Sequence, residues 1–163
     1  MEHAGSGGTS PGDLFHVGFV VHDVEAAMSE LTAATGVHWR EVGHRRISTR
    51  LRDGIRDLDY TAVFTIEGPP HIELVGAMNG TPWWPAGPAQ LHHLGYHADD
   101  LAAASAAMDA AGLRRVACDA TGADGEAALF AYYQATGGYF VELLSTQARP
   151  RAASTAGRTG GGQ

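Results

Sequence analysis

The sequence predicts an α+β fold built from two tandem βαβββ units. The first observation is an internal repeat: HVGFVVHDVEAAM, which begins at His16, aligns with HLGYHADDLAAAS, which begins at His93, 77 positions later (93 − 16). The second observation is that three β-type segments follow each copy. The third is that each unit ends on a strand with a glutamate between apolar residues, in PHIELV and YFVELL. A repeat of this length indicates one structural unit used twice.

Each copy of the repeat predicts a strand followed by a capped helix. The apolar strand is followed by Asp23 or Asp100, a residue type favoured at a helix N-cap. Apolar residues then recur at helical spacing, and Gly36 or Gly112 ends the helix. The predicted strands are 15–22 and 91–98, and the predicted helices are 24–35 and 101–111. The β-type segments are 38–49, 57–68 and 70–77 in the first unit, and 113–120, 127–136 and 138–145 in the second.

These boundaries predict a single domain between two tails. The domain covers residues 13–145, with units at 13–78 and 90–145 joined by a Pro- and Trp-rich linker. Residues 1–12 are expected to be a flexible N-terminal tail and residues 146–163 a disordered C-terminal tail, because such polar, Gly-rich stretches bury little apolar surface. In the linker, one of Trp83 and Trp84 is expected to pack in the core or in an interface.

Composition narrows the classes of partner. The net charge is −7, and a nucleic-acid-binding protein would normally carry a basic stripe. The local basic cluster HRRISTRLRDGIR is interpreted as a solvated face, with an anchor for an acidic substrate group as the alternative. No apolar run approaches the roughly 20 residues that span a bilayer, and the N-terminus lacks the pattern of a secretory signal. We therefore expect a cytoplasmic protein with no nucleic-acid or membrane partner.

The chain contains no lysine, since all 11 of its basic residues are Arg. This excludes a Schiff-base lysine, a pyridoxal-phosphate anchor and a P-loop lysine. Cys118 is the only cysteine, so an intrachain disulfide and a thiolate metal cluster are excluded as well. We interpret it as a small strand residue.

The histidines and the two strand glutamates are the candidate functional residues. The repeat matches His93 with His16, and strand alternation then predicts His92 on the opposite face and His97 on the His93 face. Glu73 and Glu142 lie within apolar strands, where a buried carboxylate is costly without a partner. We expect the remaining histidines to be non-ligands: His3, His22, His38, His44 and His71.

The repeated βαβββ pattern, the HVG and HLG openings and the IEL and VEL closings together resemble the vicinal oxygen chelate superfamily over residues 14–145. That superfamily includes glyoxalase I, methylmalonyl-CoA epimerase, extradiol dioxygenases and the fosfomycin and bleomycin resistance proteins. The resemblance implies that each unit curls into a half-barrel and supplies two metal ligands. In this sequence the implied ligands are His16, Glu73, His93 and Glu142, all of residue types that bind divalent metals.

A ligand set of two His and two Glu resembles that of the glyoxalase and epimerase members of the superfamily. The resemblance therefore implies a divalent-metal-dependent isomerase or lyase, with Zn, Ni, Co, Mn or Mg as a Lewis acid that stabilises an enolate or enediolate. Glu142 or Glu73 would be the catalytic base on a small carbonyl or secondary-metabolite substrate. Asp57, in DGIRDLDY, is in a setting similar to that of an acidic residue of epimerases, although a polar turn is the favoured interpretation.

Two other functions stay open. One is an Fe(II)-dependent extradiol-type dioxygenase; the resemblance implies that such members bind iron through two His and one Glu. The other is a non-catalytic protein that sequesters a drug or metabolite. The absence of lysine weakens the case for a CoA substrate and argues against fosfomycin modification. A homodimer is expected by resemblance, since paired half-barrels often form across two chains and apolar strand edges would otherwise be exposed.

Overall fold

The computed structural model describes residues 12–85 and 91–148, in which the order β–α–β–β–β occurs twice. The first unit contains β1 (Leu14–Val21), α1 (Val24–Thr35), β2 (Gly43–Leu51), β3 (Gly54–Phe64) and β4 (His71–Gly76). The second contains β5 (Leu91–Ala98), α2 (Leu101–Ala110), β6 (Arg114–Asp119), β7 (Phe130–Gln134) and β8 (Phe140–Ser145). Most of both predicted tails, residues 1–11 and 149–163, and linker residues 86–90 lie outside the described residues, so the domain boundaries stay predictions.

The strands of both units form one closed barrel in the order β1-β4-β3-β2-β6-β7-β8-β5. The first and last strands of each unit pair in parallel, as β1 with β4 and β5 with β8. The units join through the antiparallel β1–β5 pair and through a short β2–β6 pairing. The predicted α+β content is confirmed. The description as half-barrels is not confirmed, because both units contribute to a single closed sheet.

Both helices begin where the repeat predicts. The side chains of Asp23 and Asp100 each accept a hydrogen bond from the backbone N–H three residues later, at 2.9 Å, and so cap α1 and α2. Gly36 ends α1 in the left-handed conformation, with φ of 76°. α1 covers the outside of the barrel through Val24, which packs with Val63 and Leu74.

The strand boundaries differ most from prediction in the first unit. β2 begins at Gly43 rather than at residue 38, since the preceding segment makes only an isolated bridge between Trp39 and Thr65. β3 begins at Gly54 and ends at Phe64, a shift of three to four residues from the predicted 57–68. Gly54 has a φ of 133° and turns the β2–β3 hairpin, a role that apolar patterning does not reveal.

Aromatic side chains fill the barrel interior on the side of the linker. Trp83 is 1% exposed, and its ring meets those of Tyr60 and Tyr132 edge-on at centroid distances of 5.1 and 4.9 Å. Trp84 is 45% exposed and lies beside the ring of His22. The expectation that one of the two tryptophans packs in the core is therefore confirmed, for Trp83. Among the described helices, none is long and apolar enough to cross a membrane.

A buried carboxylate organises the connection between β6 and β7. Asp119 is fully buried, and its side chain accepts hydrogen bonds from the backbone N–H groups of Ala128, Leu129 and Phe130 and from the hydroxyl of Thr121. Burial would raise the pKa of this carboxyl, but these donors hold it below the ordinary value. The side chain thus satisfies successive backbone N–H groups where the chain enters β7.

We expect Asp119→Ala to lower the free energy of unfolding by about 3 kcal/mol, because three backbone N–H groups, including that of the buried Phe130, lose their acceptor at once. Chemical denaturation measures the change. The matched control is Asp109→Ala, which removes an exposed carboxylate from α2 and should leave stability nearly unchanged. Equal stability of the two variants would show that solvent replaces the Asp119 carboxylate without cost.

Candidate metal centre

Four side chains from the first and last strands of the two units converge inside the barrel. They are His16 on β1, Glu73 on β4, His93 on β5 and Glu142 on β8. One potential ligand atom from each lies within 4.8 Å of all the others. Both histidines are 0% exposed, and the glutamates are 7% and 5% exposed. These are the four residues that the repeat and the resemblance single out, and the structure brings all of them together.

The distances within this cluster are short. Nε2 of His16 lies 2.8 Å from Nε2 of His93, so both imidazoles aim the same ring nitrogen at a common point. Oε2 of Glu73 lies 2.8 Å from His93 Nε2 and 3.3 Å from His16 Nε2. Oε2 of Glu142 lies 2.9 Å from His16 Nε2 and 3.4 Å from His93 Nε2, but it makes no regular hydrogen bond. Each carboxylate therefore contacts both imidazoles.

Glycines make room for the two imidazole rings. In the β1–β5 pair, Gly18 lies opposite His93 and Gly95 lies opposite His16. A Cβ atom added to Gly18 would overlap the His93 ring, and one added to Gly95 would overlap the His16 ring. The glycine two positions after each histidine, in HVG and HLG, thus accommodates the histidine of the other unit.

The charges of the cluster are mutually dependent. Burial alone would lower the pKa of His16, but the charge of Glu73 and the contacts with both carboxylates raise it to about 10. Burial would also lower the pKa of His93, but the same two carboxylates raise it above its ordinary value. Burial would raise the pKa values of Glu73 and Glu142, but the imidazoles hold both below the ordinary value. Two buried negative charges thus require two positive charges beside them.

A divalent cation satisfies the same requirement. Ligand nitrogen and oxygen atoms stand about 2.0–2.2 Å from such an ion, so neighbouring ligand atoms are roughly 3 Å apart. The nitrogen–oxygen distances of 2.8 to 3.4 Å in the cluster match this spacing. The buried Oε2 atom of Glu142, which makes no regular hydrogen bond, is available as a metal ligand. The cluster is therefore positioned to hold a divalent metal, with both imidazoles neutral.

Two further residues at this centre escaped the sequence analysis. The hydroxyl of Tyr132, on β7, lies 3.5 Å from Nε2 of His93. Burial and then the charges of Glu142 and Glu73 raise the pKa of Tyr132 well above its ordinary value, so the hydroxyl keeps its proton. Its only sequence signal is its place in the apolar strand FAYYQ, which it shares with Tyr133. The second residue is His92.

The prediction that His92 points away from His93 is wrong. On β5, His93 pairs with Gly18 but Leu91 pairs with the next residue of β1, Phe19, so His92 is an extra residue at a β-bulge. A bulge re-aims a side chain and breaks strict alternation. Nδ1 of His92 consequently lies 2.8 Å from Nδ1 of His93, and its ring also meets that of Phe140. Burial and then the charge of His93 lower the pKa of His92 to about 4.

The remaining candidates lie away from the cluster. Asp57 is exposed on β3, where it accepts a hydrogen bond from Ser48, so it is not placed to act with the four buried residues. The described histidines outside the cluster contact other groups, as with His38 and Glu67 or His44 and Thr61. His3 lies outside the described residues.

A cavity of about 590 Å³ lies beside the cluster rather than on it. Its lining includes Phe15 and His97 but none of the four buried residues. The Phe15 ring contacts the ring of His97 at a centroid distance of 4.2 Å and that of His16 at 5.5 Å. Phe15 therefore lies against both the cavity and the candidate metal centre.

A closed barrel whose two repeated units share one His and Glu cluster defines a class of β-barrel with a candidate metal centre in its interior. The chain belongs to the Glyoxalase/Bleomycin resistance protein/Dioxygenase superfamily, whose family profile matches residues 15–133. This confirms the family resemblance inferred from the HVG, HLG, IEL and VEL motifs. No curated protein sequence matches the chain.

Solved structures with this fold include several epimerases. A methylmalonyl-CoA epimerase variant from Streptomyces coelicolor, in complex with 2-nitronate-propionyl-CoA, has a TM-score of 0.58 and 15% identity, covering 83% of this chain and 98% of its own. The methylmalonyl-CoA epimerase from Mycobacterium tuberculosis has a TM-score of 0.57 and 16% identity, covering 88% and 93%. A hypothetical protein from Bacillus halodurans has a TM-score of 0.56 and 15% identity, covering 86% and 98%. At these identities the likeness shows the fold.

We expect Gly95→Ala to displace the His16 ring, because the added methyl group occupies the space of that ring. Overpacking of this kind costs typically 1–3 kcal/mol, and it should also weaken metal binding. Zinc binding measured by calorimetry tests the effect. The control is Gly43→Ala, where the new methyl group would meet only the Ala62 carbonyl oxygen at 3.5 Å. Undiminished zinc affinity in Gly95→Ala would show that the His16 ring can bind the metal from a different position.

The metal-free protein should be most stable between about pH 4.5 and 6.5. The folded-state pKa of His16, about 10, exceeds its ordinary 6.5, so its contribution is complete below pH 6.5 and is lost as pH rises towards 10. The lowered pKa values of Glu73 and Glu142 add stability above their ordinary 4.5, and this is lost as pH falls.

Zinc should stabilise the protein more at high pH than at low pH, which opposes the loss of stability of the metal-free protein above pH 6.5. The reason is that the metal replaces the imidazole protons and so binds more tightly as pH rises. At a hundredfold excess over Kd it should add about 2.7 kcal/mol. Thermal unfolding with chelator and with zinc, near pH 6 and near pH 8.5, measures both effects. His44→Ala removes an exposed imidazole and should show the same pH dependence of stability as the wild type, both with chelator and with zinc. A zinc effect that shrinks with rising pH would exclude the imidazoles as ligands.

Proposed function

We propose that the protein is a divalent-metal-dependent isomerase or lyase that moves a proton on a carbon atom beside a carbonyl group. The observation that carries this proposal is the buried cluster of two imidazoles and two carboxylates. When bound there, a divalent ion would act as a Lewis acid and stabilise negative charge on the substrate carbonyl oxygen. His16, Glu73, His93 and Glu142 would hold it.

Glu142 is the better candidate for the catalytic base. The imidazole nearest to its Oε2 is that of His16, at 2.9 Å, and Nδ1 of His16 has no hydrogen-bond partner among the described residues. The imidazole nearest to Oε2 of Glu73 is that of His93, at 2.8 Å, which is held by its contact with His92. In the proposed step, a Glu142 oxygen takes the proton from the carbon, and the C–H electron pair moves towards the carbonyl oxygen. Return of the proton to the same carbon or to its neighbour completes the reaction. Glu73 is the second candidate and otherwise anchors the centre.

The neighbouring side chains suit this chemistry. The Tyr132 hydroxyl remains protonated and lies within reach of the cluster, so it can donate a hydrogen bond to a substrate oxygen that gains charge. The four side chains of the centre are nearly fully buried, and low exposure to solvent strengthens each electrostatic contact. Both carboxylates of the cluster contact both imidazoles, which favours the four-ligand pattern over the three-ligand pattern of the dioxygenase alternative.

The substrate class that we propose is a small carbonyl compound, with a secondary metabolite as one source. The epimerases of similar fold make methylmalonyl-CoA a direct probe, although this chain has no lysine to contact a CoA phosphate. A homodimer and a cytoplasmic location stay predictions.

Proton exchange in heavy water tests the reaction without knowledge of the product. We expect metal-loaded protein to incorporate deuterium beside the carbonyl of one member of a panel of carbonyl compounds that includes methylmalonyl-CoA, as observed by NMR. Glu142→Gln should retain metal but lose roughly 100-fold or more in exchange rate, because the amide cannot accept the proton.

Glu67→Gln is the matched control, since Glu67 is an exposed carboxylate paired with His38. Full exchange after removal of metal would refute the proposal. Oxygen consumption with Fe(II) would instead favour the dioxygenase. Metabolite binding that survives chelation, without exchange, would favour the sequestering protein.

A further inference from the structure

A chain of hydrogen bonds links one candidate metal ligand to the backbone of the linker. Nδ1 of His93 lies 2.8 Å from Nδ1 of His92, and Nε2 of His92 lies 2.9 Å from the carbonyl oxygen of Pro82. Both ring nitrogens of His92 are therefore engaged, and neither partner is acidic. His92 is half-buried, and the rings of Tyr132 and Phe140 border it.

The direction of these hydrogen bonds follows from the chemistry of the partners. A carbonyl oxygen only accepts, so Nε2 of His92 must carry the proton that it donates to Pro82. A neutral imidazole has one N–H, and Nδ1 of His92 is then an acceptor. The proton in the contact between the two Nδ1 atoms consequently belongs to His93. Once Nδ1 of His93 holds its proton, the lone pair of the neutral ring is at Nε2, the atom that faces the cluster.

We propose that His92 is a positioning residue, which fixes His93 as the Nδ1–H tautomer and holds its Nε2 lone pair on the metal. Ligating histidines commonly donate their second N–H to a neighbouring acceptor, which sets ring orientation and raises ligand basicity. Here the acceptor is another imidazole. The inference rests on the proposed metal centre and adds a residue outside the four ligands to it.

Two features of the fold hold the relay in place. The β-bulge turns His92 towards His93 rather than to the opposite face. The Pro82 carbonyl is held by its neighbours: the N–H of Met78 donates to the carbonyl of Trp83 at 2.7 Å, and the N–H of Trp83 donates to the hydroxyl of Thr81 at 3.1 Å. Trp83 itself is anchored in the core. The linker thus provides a fixed acceptor for the relay.

The relay makes the two candidate imidazole ligands inequivalent. Nδ1 of His16 is buried, and it has no hydrogen-bond partner in the described part of the chain. In the repeat, His92 corresponds to Phe15, whose ring cannot accept a hydrogen bond through a nitrogen. Loss of the relay should therefore affect one ligand and leave the other unchanged.

Three variants test the role of His92. His92→Phe keeps a planar ring against Tyr132 and Phe140 but removes the acceptor. His92→Asn keeps an oxygen that can accept from Nδ1–H of His93. His44→Phe is the control, as it replaces an exposed histidine on β2. Zinc affinity is measured by competition with a chelator, and imidazole nitrogen NMR of the zinc-free and zinc-loaded proteins reports which nitrogen carries each proton.

We expect His92→Phe to bind zinc about 10- to 100-fold more weakly, with His92→Asn close to the wild type and His44→Phe unchanged. NMR of the wild type should show His92 protonated at Nε2 alone and His93 protonated at Nδ1 with slow exchange, and His92→Phe should speed that exchange. Equal zinc affinity for wild type and His92→Phe, or a proton on Nδ1 of His92, would overturn the inference. Absence of zinc binding by the wild type would refute the metal centre, whereas the zinc-free spectrum would still decide the direction of the relay.

Discussion

The structure depends on the neutralisation of two carboxylates inside a β-barrel. Glu73 and Glu142 are buried among residues that are mainly apolar and aromatic, where an unpaired carboxylate would be strongly destabilising. His16 and His93 are the cationic partners within reach, and each contacts both carboxylates. Either two protons or one divalent ion can supply the missing charge. Metal binding at this candidate centre would therefore be linked to folding through the same four side chains.

The packing of the imidazoles makes the two units interdependent. Each histidine rests over the glycine of the opposite unit, across the β1–β5 pair. A larger side chain at either glycine would push away the ligand of the other unit rather than its own. One βαβββ unit alone would supply only one histidine and one glutamate, which is half of the four-residue cluster. Both units are thus needed to complete the cluster as well as to close the sheet.

The sequence predicts what local patterns and the repeat determine. The bounds of α1 and the capping by Asp23 and Asp100 follow from residue types at fixed positions, and the four converging residues follow from repeat equivalence. The bulge at His92 could not be predicted, because it arises from a mismatch of register between two strands distant in sequence. The Asp119 network was missed for a similar reason, as its donors lie on a different segment. The predicted start of β2 was also wrong, because residues 38–42 form only an isolated bridge between Trp39 and Thr65 and not a strand.

The two halves of the candidate centre have equal ligands but unequal surroundings. His93 is tied through His92 to the Pro82 carbonyl, while Nδ1 of His16 has no partner among the described residues. Glu73 lies nearest to the restrained histidine, at 2.8 Å, while Glu142 lies nearest to the other, at 2.9 Å. One His–Glu pair is thus held firmly and the other is less constrained. Acid–base chemistry needs this kind of difference between like groups, because a carboxylate that must accept a proton has to be freer than one that only anchors. The β1–β5 register shifts at both Phe15 and His92, so the bulge itself is common to the two units. The asymmetry comes from the residue at the bulge, a histidine in one unit and a phenylalanine in the other, and from the linker carbonyl that His92 reaches.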